Sequence, residues 1–176
     1  MSETMGKIPE RLTRLPEGVV CAMLMALAVL LYANTLTAGF VSDDRPLILE
    51  SQRIHSLGRV PAYFSQPFDQ EVTGGGSTAY YRPVVSASFA LDYAAGGGSA
   101  WSFHLTNVVF WGVCVLLVYL VARRLLSSRI AALAGALVFL AHPIHTETVA
   151  WISGRTDLFA LVFMLACKKK KNSGSN

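Results

Sequence analysis

The chain has 176 residues, 53% of them hydrophobic and only 15% charged. A soluble domain averages about 45–50% apolar and about 25% charged residues, so the class to expect is an all-α integral membrane protein. The formal charge of +4 at pH 7 does not point to nucleic acid, because the basic residues collect at the ends of apolar runs rather than along one face.

In chain order, residues 1–17 read as a cytoplasmic tail and 18–38 as a first transmembrane helix, since a span needs about 20 mostly apolar residues. This helix is long and ends without a small-residue cleavage site, so it is a retained helix rather than a signal peptide. Residues 39–102 form a long extracytoplasmic loop in which Pro46 and Pro83 open two short helices, over 46–52 and 83–94. Proline suits such starts because its missing N–H is not needed in a first turn. Val85, Phe89 and Tyr93 share one face of the second short helix, which is expected to lie along the membrane surface. Glycine-rich runs at 73–77 and 96–99 read as hinges.

A second transmembrane helix follows over 103–122, a cytoplasmic turn over 123–129 and a third helix over 130–147. The loop 148–157 is extracytoplasmic, a shortened fourth helix covers 158–167, and 168–176 is a cytoplasmic polar tail. The apolar run 130–141 measures about 18 Å at 1.5 Å per residue. It spans only if helix continues through His142-Pro143-Ile144-His145, or if that segment lines a cavity. The run 158–167 is shorter still, and the expectation is a truncated or frameshifted piece of a longer bundle. Cys21, Cys114 and Cys167 lie inside apolar runs with no metal or redox spacing and read as small hydrophobes.

Lys7, Arg11 and Arg14 precede the first helix, Arg123, Arg124 and Arg129 fill the short turn, and four lysines occupy 168–171. Strict alternation puts these ten of the fifteen basic residues on one side, which the positive-inside rule makes cytoplasmic. Eight of the eleven acids then lie outside: Asp43, Asp44, Glu50, Asp69, Glu71, Asp92, Glu147 and Asp157. Trp101, Trp111 and Trp151, with Tyr80, Tyr81 and Tyr93, read as interfacial belt aromatics.

Two polar knots therefore share the outer side. One is Ser42-Asp43-Asp44-Arg45; the other runs from His142-Pro143-Ile144-His145-Thr146-Glu147 to Arg155-Thr156-Asp157. Ionisable groups at membrane depth usually mark a site. Adjacent carboxylates suit a general base and its partner, because like charges push their pKa values apart; the plain alternative is a solvated helix start. His142 and His145 are three apart and share a helical face. They suit a phosphate contact, or a divalent metal held with Glu147, although no recognised zinc spacing is present; otherwise they bond backbone freed at a helix break. The guanidinium groups of Arg82 and Arg155 suit phosphate recognition, or else snorkel to the interface. Together these groups are equipment for a reaction between a lipid-linked phosphate and an extracytoplasmic hydroxyl.

Three stretches resemble the TMTC-type membrane glycosyltransferases and their bacterial tetratricopeptide-containing relatives. They are Gly39-Phe40-Val41-Ser42-Asp43-Asp44, the run from Tyr81-Arg82-Pro83 to Leu91-Asp92-Tyr93, and Phe103-His104-Leu105-Thr106-Asn107. So does the longer run from His142-Pro143-Ile144-His145 to Trp151-Ile152-Ser153-Gly154-Arg155-Thr156-Asp157-Leu158. The resemblance implies the N-terminal part of a GT-C multi-helix bundle. It also implies a polyprenyl-phosphate sugar donor, a hexose, typically mannose, and a protein hydroxyl acceptor. By motif position Asp43 would be the general base and Asp44 its partner. Arg82, His104, His142, His145, Glu147, Arg155 and Asp157 would serve phosphate and sugar. Trp111 stands where relatives tend to carry histidine. A piece lacking the remaining helices is expected to be inactive alone, in a bacterial inner membrane rather than an endoplasmic reticulum. The rival readings are a non-enzymatic scaffold or gene remnant, and a haem protein using His104 with His142 or His145 as axial ligands.

Overall fold

The structure, a computed structural model, describes residues 15–65 and 81–167. Lys7, Arg11, Arg14, the lysines at 168–171, Asp69, Glu71, Tyr80 and the run 73–77 lie outside the described residues. Among the described residues every regular element is helical.

Helix α1, Glu17–Tyr32, continues as a 3-10 turn, Ala33–Thr37. The loop that follows holds a π-helical turn, Arg45–Leu49, and a 3-10 segment, Leu57–Phe64. Helix α2 is Pro83–Gly96, α3 is Ala100–Leu125 and α4 is Arg129–Ala141. A one-and-a-half-turn helix α5, His145–Ala150, and a 3-10 turn, Ile152–Gly154, lead into α6, Arg155–Ala166. Two of these stretches, Glu17–Thr37 and Ala100–Leu125, are long and apolar enough to cross a membrane.

Helix α3 is the central post against which α1, α2, α4 and α6 pack. Val20, Leu24, Ala28 and Tyr32 form one buried stripe of α1, and Ala132, Ala136 and Leu140 form another on α4. Both meet Trp111, Cys114, Val115 and Tyr119 of α3. The spacing of four puts each stripe on one helix face. Its small residues allow close approach, which drives helix packing where lipid is as apolar as leucine. At Gly112 an added Cβ would collide with the sulfur of Met25, so α1 and α3 touch where glycine leaves room. Facing outward are Met23, Leu27, Leu30, Leu137, Val138, Phe163 and Met164, an apolar exterior suited to a membrane.

The helix expected over 130–147 breaks instead at Ala141, and His142 adopts an extended conformation. Pro143 disfavours helical geometry in the residue before it and supplies no N–H. The chain turns through Ile144 and restarts at His145.

A second core lies under the long loop, built from Ile48, Ile54, Tyr63, Val85, Phe89, Phe103, Ile152 and Phe159. It corrects the reading of α2. The face carrying Val85 and Phe89 is buried against the protein rather than offered to lipid, and Tyr93 stacks on His55 at 4.1 Å. Trp111 is corrected likewise: it is fully buried, stacked on Phe139 at 5.0 Å and edge-on to Tyr32 at 6.0 Å. Periodicity shows that a face is apolar; whether it meets lipid or a neighbouring helix is settled by packing.

Candidate functional site

The two polar knots meet. Asp44 is fully buried, and its Oδ1 accepts hydrogen bonds from the Ser153 backbone N–H at 2.9 Å and the Ser153 hydroxyl at 2.6 Å. Its Oδ2 accepts from the Val41 N–H at 3.2 Å. Asp43, its neighbour in the chain, is exposed, with only the Ser42 hydroxyl on its Oδ1 at 3.3 Å among the described residues. Neighbours in sequence thus have opposite situations. One carboxylate is consumed by the fold and the other is presented outward.

Ser42 sets up this division. The Asp44 N–H closes a turn onto the Val41 carbonyl at 3.0 Å, and Ser42 within it has φ +48°. That left-handed region is uncommon for a residue with a side chain. The π-helical turn that follows, Arg45–Leu49, is a form met often at functional sites.

Arg82 caps the start of α2, and its Nη1 donates to the Thr156 hydroxyl at 3.3 Å. Ser153 holds Asp44 and Thr156 holds Arg82, so one short stretch of chain gathers the buried acid and a half-buried cation from distant positions.

Arg155 lies between these two contacts and is fully buried. Its Nε donates to Asn107 Oδ1 at 2.7 Å, Nη1 to the Ser88 hydroxyl at 3.0 Å and Nη2 to the Phe103 carbonyl at 2.8 Å. Nη2 also pairs with Asp92 Oδ2 at 2.6 Å, and the guanidinium sits 4.6 Å over the Phe89 ring. A buried cation needs such saturation, since an uncompensated one costs several kcal/mol. The sequence offered Arg155 as a phosphate ligand or a snorkelling residue; its donors are instead directed at protein partners. Asp92 accepts from the Thr106 hydroxyl at 2.7 Å. Burial pushes its carboxyl above the usual range, against the opposing pull of Arg155 and Thr106. Asn107 is a hub, its amide turned to the carbonyls of Val149, Trp151 and Ile152 at 3.0–3.4 Å.

The histidines separate. His104 is buried, and neither ring nitrogen forms an aligned hydrogen bond among the described residues. His145 packs against both Trp111 at 4.7 Å and Phe139 at 4.4 Å, with the ring of exposed His142 6.0 Å away. His104 and Trp111 are seven residues apart on α3, about 10 Å along the axis at 1.5 Å per residue. Glu147 and Asp157 are exposed, and among the described residues no three His, Cys, Asp or Glu side chains converge to hold a metal.

Sequence reasoning passed over Ser153, Asn107, Asp92, Ser88 and Thr156. Small polar residues inside apolar helices, such as Asn107, were the available signal: each buried polar group must find a partner.

Fold and site together define a helical membrane protein whose two polar knots meet at one end of the bundle. No family model matches the chain, and no solved structure matches it. Its sequence is 46% identical over 147 residues, 82% of the chain, to the protein O-mannosyl-transferase Tmtc2 of Drosophila melanogaster. It is 37% identical over 143 residues to human protein O-mannosyl-transferase TMTC2, and 33% identical over 145 residues to mouse protein O-mannosyl-transferase TMTC3. The chain belongs to this TMTC-type family. It spans 16% to 17% of the length of these relatives. They are animal proteins, so the expectation of a bacterial inner membrane finds no support among them.

Proposed function

We propose that the chain is part of a membrane mannosyltransferase, and that the end of the bundle carrying Asp43 and Arg82 faces the extracytoplasmic side. The enzyme moves a hexose, mannose by family, from a polyprenyl-phosphate donor to a hydroxyl of a protein acceptor. Asp43 takes the proton of the acceptor hydroxyl, Asp44 holds Asp43 in place, and Arg82 faces the donor phosphate. His142 and His145, at the break after α4, with Glu147 and Asp157 nearby in sequence, line the approach of the donor. The wider GT-C bundle supplies the rest of the lipid groove, so these residues alone do not transfer sugar. The N-terminus is cytoplasmic in this reading, as the distribution of basic residues asks.

The observation that carries the reading is the pairing of an exposed Asp43 with a buried Asp44 that is anchored to the same stretch, 153–156, that holds Arg82. A general base must be reachable and fixed, and this arrangement provides both. The names of the relatives supply mannose and the protein acceptor.

The test is Asp43→Ala in the protein as its cell makes it, assayed for transfer from polyprenyl-phosphate mannose. Loss of a general base lowers the rate by about 10²–10⁴-fold; unchanged transfer removes Asp43 from that role. The scaffold reading has one observation of its own: Arg155 is bound by Asp92, Asn107, Ser88 and the Phe103 carbonyl inside the fold. That supports a structural duty for this network beside the proposed chemistry at Asp43.

A further inference from the structure

We infer that Ser153 is a positioning residue for the acidic pair, acting through Asp44 to fix where Asp43 stands; this rests on the reading in which Asp43 is the base. Several observations converge on it.

Asp43 sits at the tip of the turn closed by the Asp44 N–H on the Val41 carbonyl at 3.0 Å. That turn holds Ser42 at φ +48°, a geometry that persists only where surroundings over-determine it. The tip itself is exposed, so what fixes it runs through Asp44. The Asp44 carboxylate in turn takes two hydrogen bonds from Ser153 on a single oxygen, the hydroxyl one being the shorter at 2.6 Å. Charge-assisted bonds of that length are about twice as strong as neutral ones.

Ser153 is held rigidly in its turn. Gly154, the next residue, packs against Thr148 so closely that an added Cβ would lie 2.8 Å from the Thr148 carbonyl oxygen. Arg155 follows, locked by Asn107, Ser88, Phe103 and Asp92. Rigidity therefore passes from the buried guanidinium to Ser153, from Ser153 to Asp44, and across one peptide to the exposed carboxylate. Ser153 reaches Asp44 across 109 residues of chain, so local sequence does not reveal the latch.

The experiment compares Ser153→Ala and Ser153→Thr with the wild type in the protein as its cell makes it, purified in detergent. Two readouts are taken: amide hydrogen exchange over residues 41–49, and kcat and KM for transfer from polyprenyl-phosphate mannose. Ser153→Ala should speed exchange in that segment and lower kcat by about 10- to 100-fold, the scale of a displaced reacting group, with KM little changed. Ser153→Thr keeps the hydroxyl and should restore both. Unchanged exchange in Ser153→Ala overturns the latch whatever the kinetics. Faster exchange with unchanged kcat overturns its link to chemistry, as does a rise in KM alone. A wild type that transfers no sugar overturns the proposed function itself, and the exchange readout still decides whether Ser153 holds the loop.

Discussion

The two ends of the helical bundle carry ionic clusters built from the same residue types, yet they differ in how much water they see. At one end Glu17 of α1 takes Arg123 at 3.3 Å, Arg129 at 3.2 Å and the Tyr119 hydroxyl at 2.9 Å. The Glu17 side chain is 45% exposed and Arg123 31%. At the other end Arg155 is 0% exposed and Asp92 11%. The first cluster ties the ends of α1, α3 and α4 in a screened setting, where ion pairs contribute little. The second is sealed, so each donor must be matched or the fold loses heavily. Exposure, rather than the list of charges, separates a staple from a keystone.

The sharpest way to break the contrast is Arg155→Ala. It strips the partner from Asp92 and the acceptor load from Asn107, and thermal unfolding in detergent should show about 3–5 kcal/mol of destabilisation. A loss below about 1 kcal/mol would mean the network is not a keystone. Gly154→Ala comes next. The carbonyl of Thr148 is backbone and yields poorly, so overpacking should cost about 1–3 kcal/mol and raise proteolysis of the segment between α4 and α6.

Asp92→Asn should cost less than Arg155→Ala, because the amide still offers an oxygen to the guanidinium and sheds a charge that burial opposes. Its signature is in pH dependence. The folded-state pKa of Asp92 is raised above 3.8, so its contribution is full below that value and lost as pH rises through the raised one. The stability difference between wild type and Asp92→Asn should therefore shift against the wild type across that window. A difference flat with pH would contradict the upward direction. Glu17→Gln sits last: it should move the melting temperature least of the four, and added salt should erase the difference. A large, salt-insensitive loss there would make the two ends equivalent.

Much of this end of the molecule was readable in advance. The apolar lengths announced the helices, and the grouping of charge put both knots on one side, where Asp44 and Ser153 now touch; the break at Ala141 was not announced, the third helix having been expected to run on to residue 147. The roles inside the knots were not readable. Asp43 and Asp44 look alike in sequence, as do Arg82 and Arg155. Trp111 looked like a belt aromatic, and the face of α2 looked like a membrane face. In each case the missing quantity was burial by a partner far away in the chain.

What the sequence determined by itself is the membrane class, the helical periodicity and the segregation of charge, because these follow from local composition and from the cost of placing polar groups in hydrocarbon. What only the tertiary structure decided is which acid is spent on the fold and which is offered outward, and that Arg155 looks inward. Those outcomes depend on contacts across tens of residues, where desolvation and saturation of hydrogen bonds give chemically identical side chains different work.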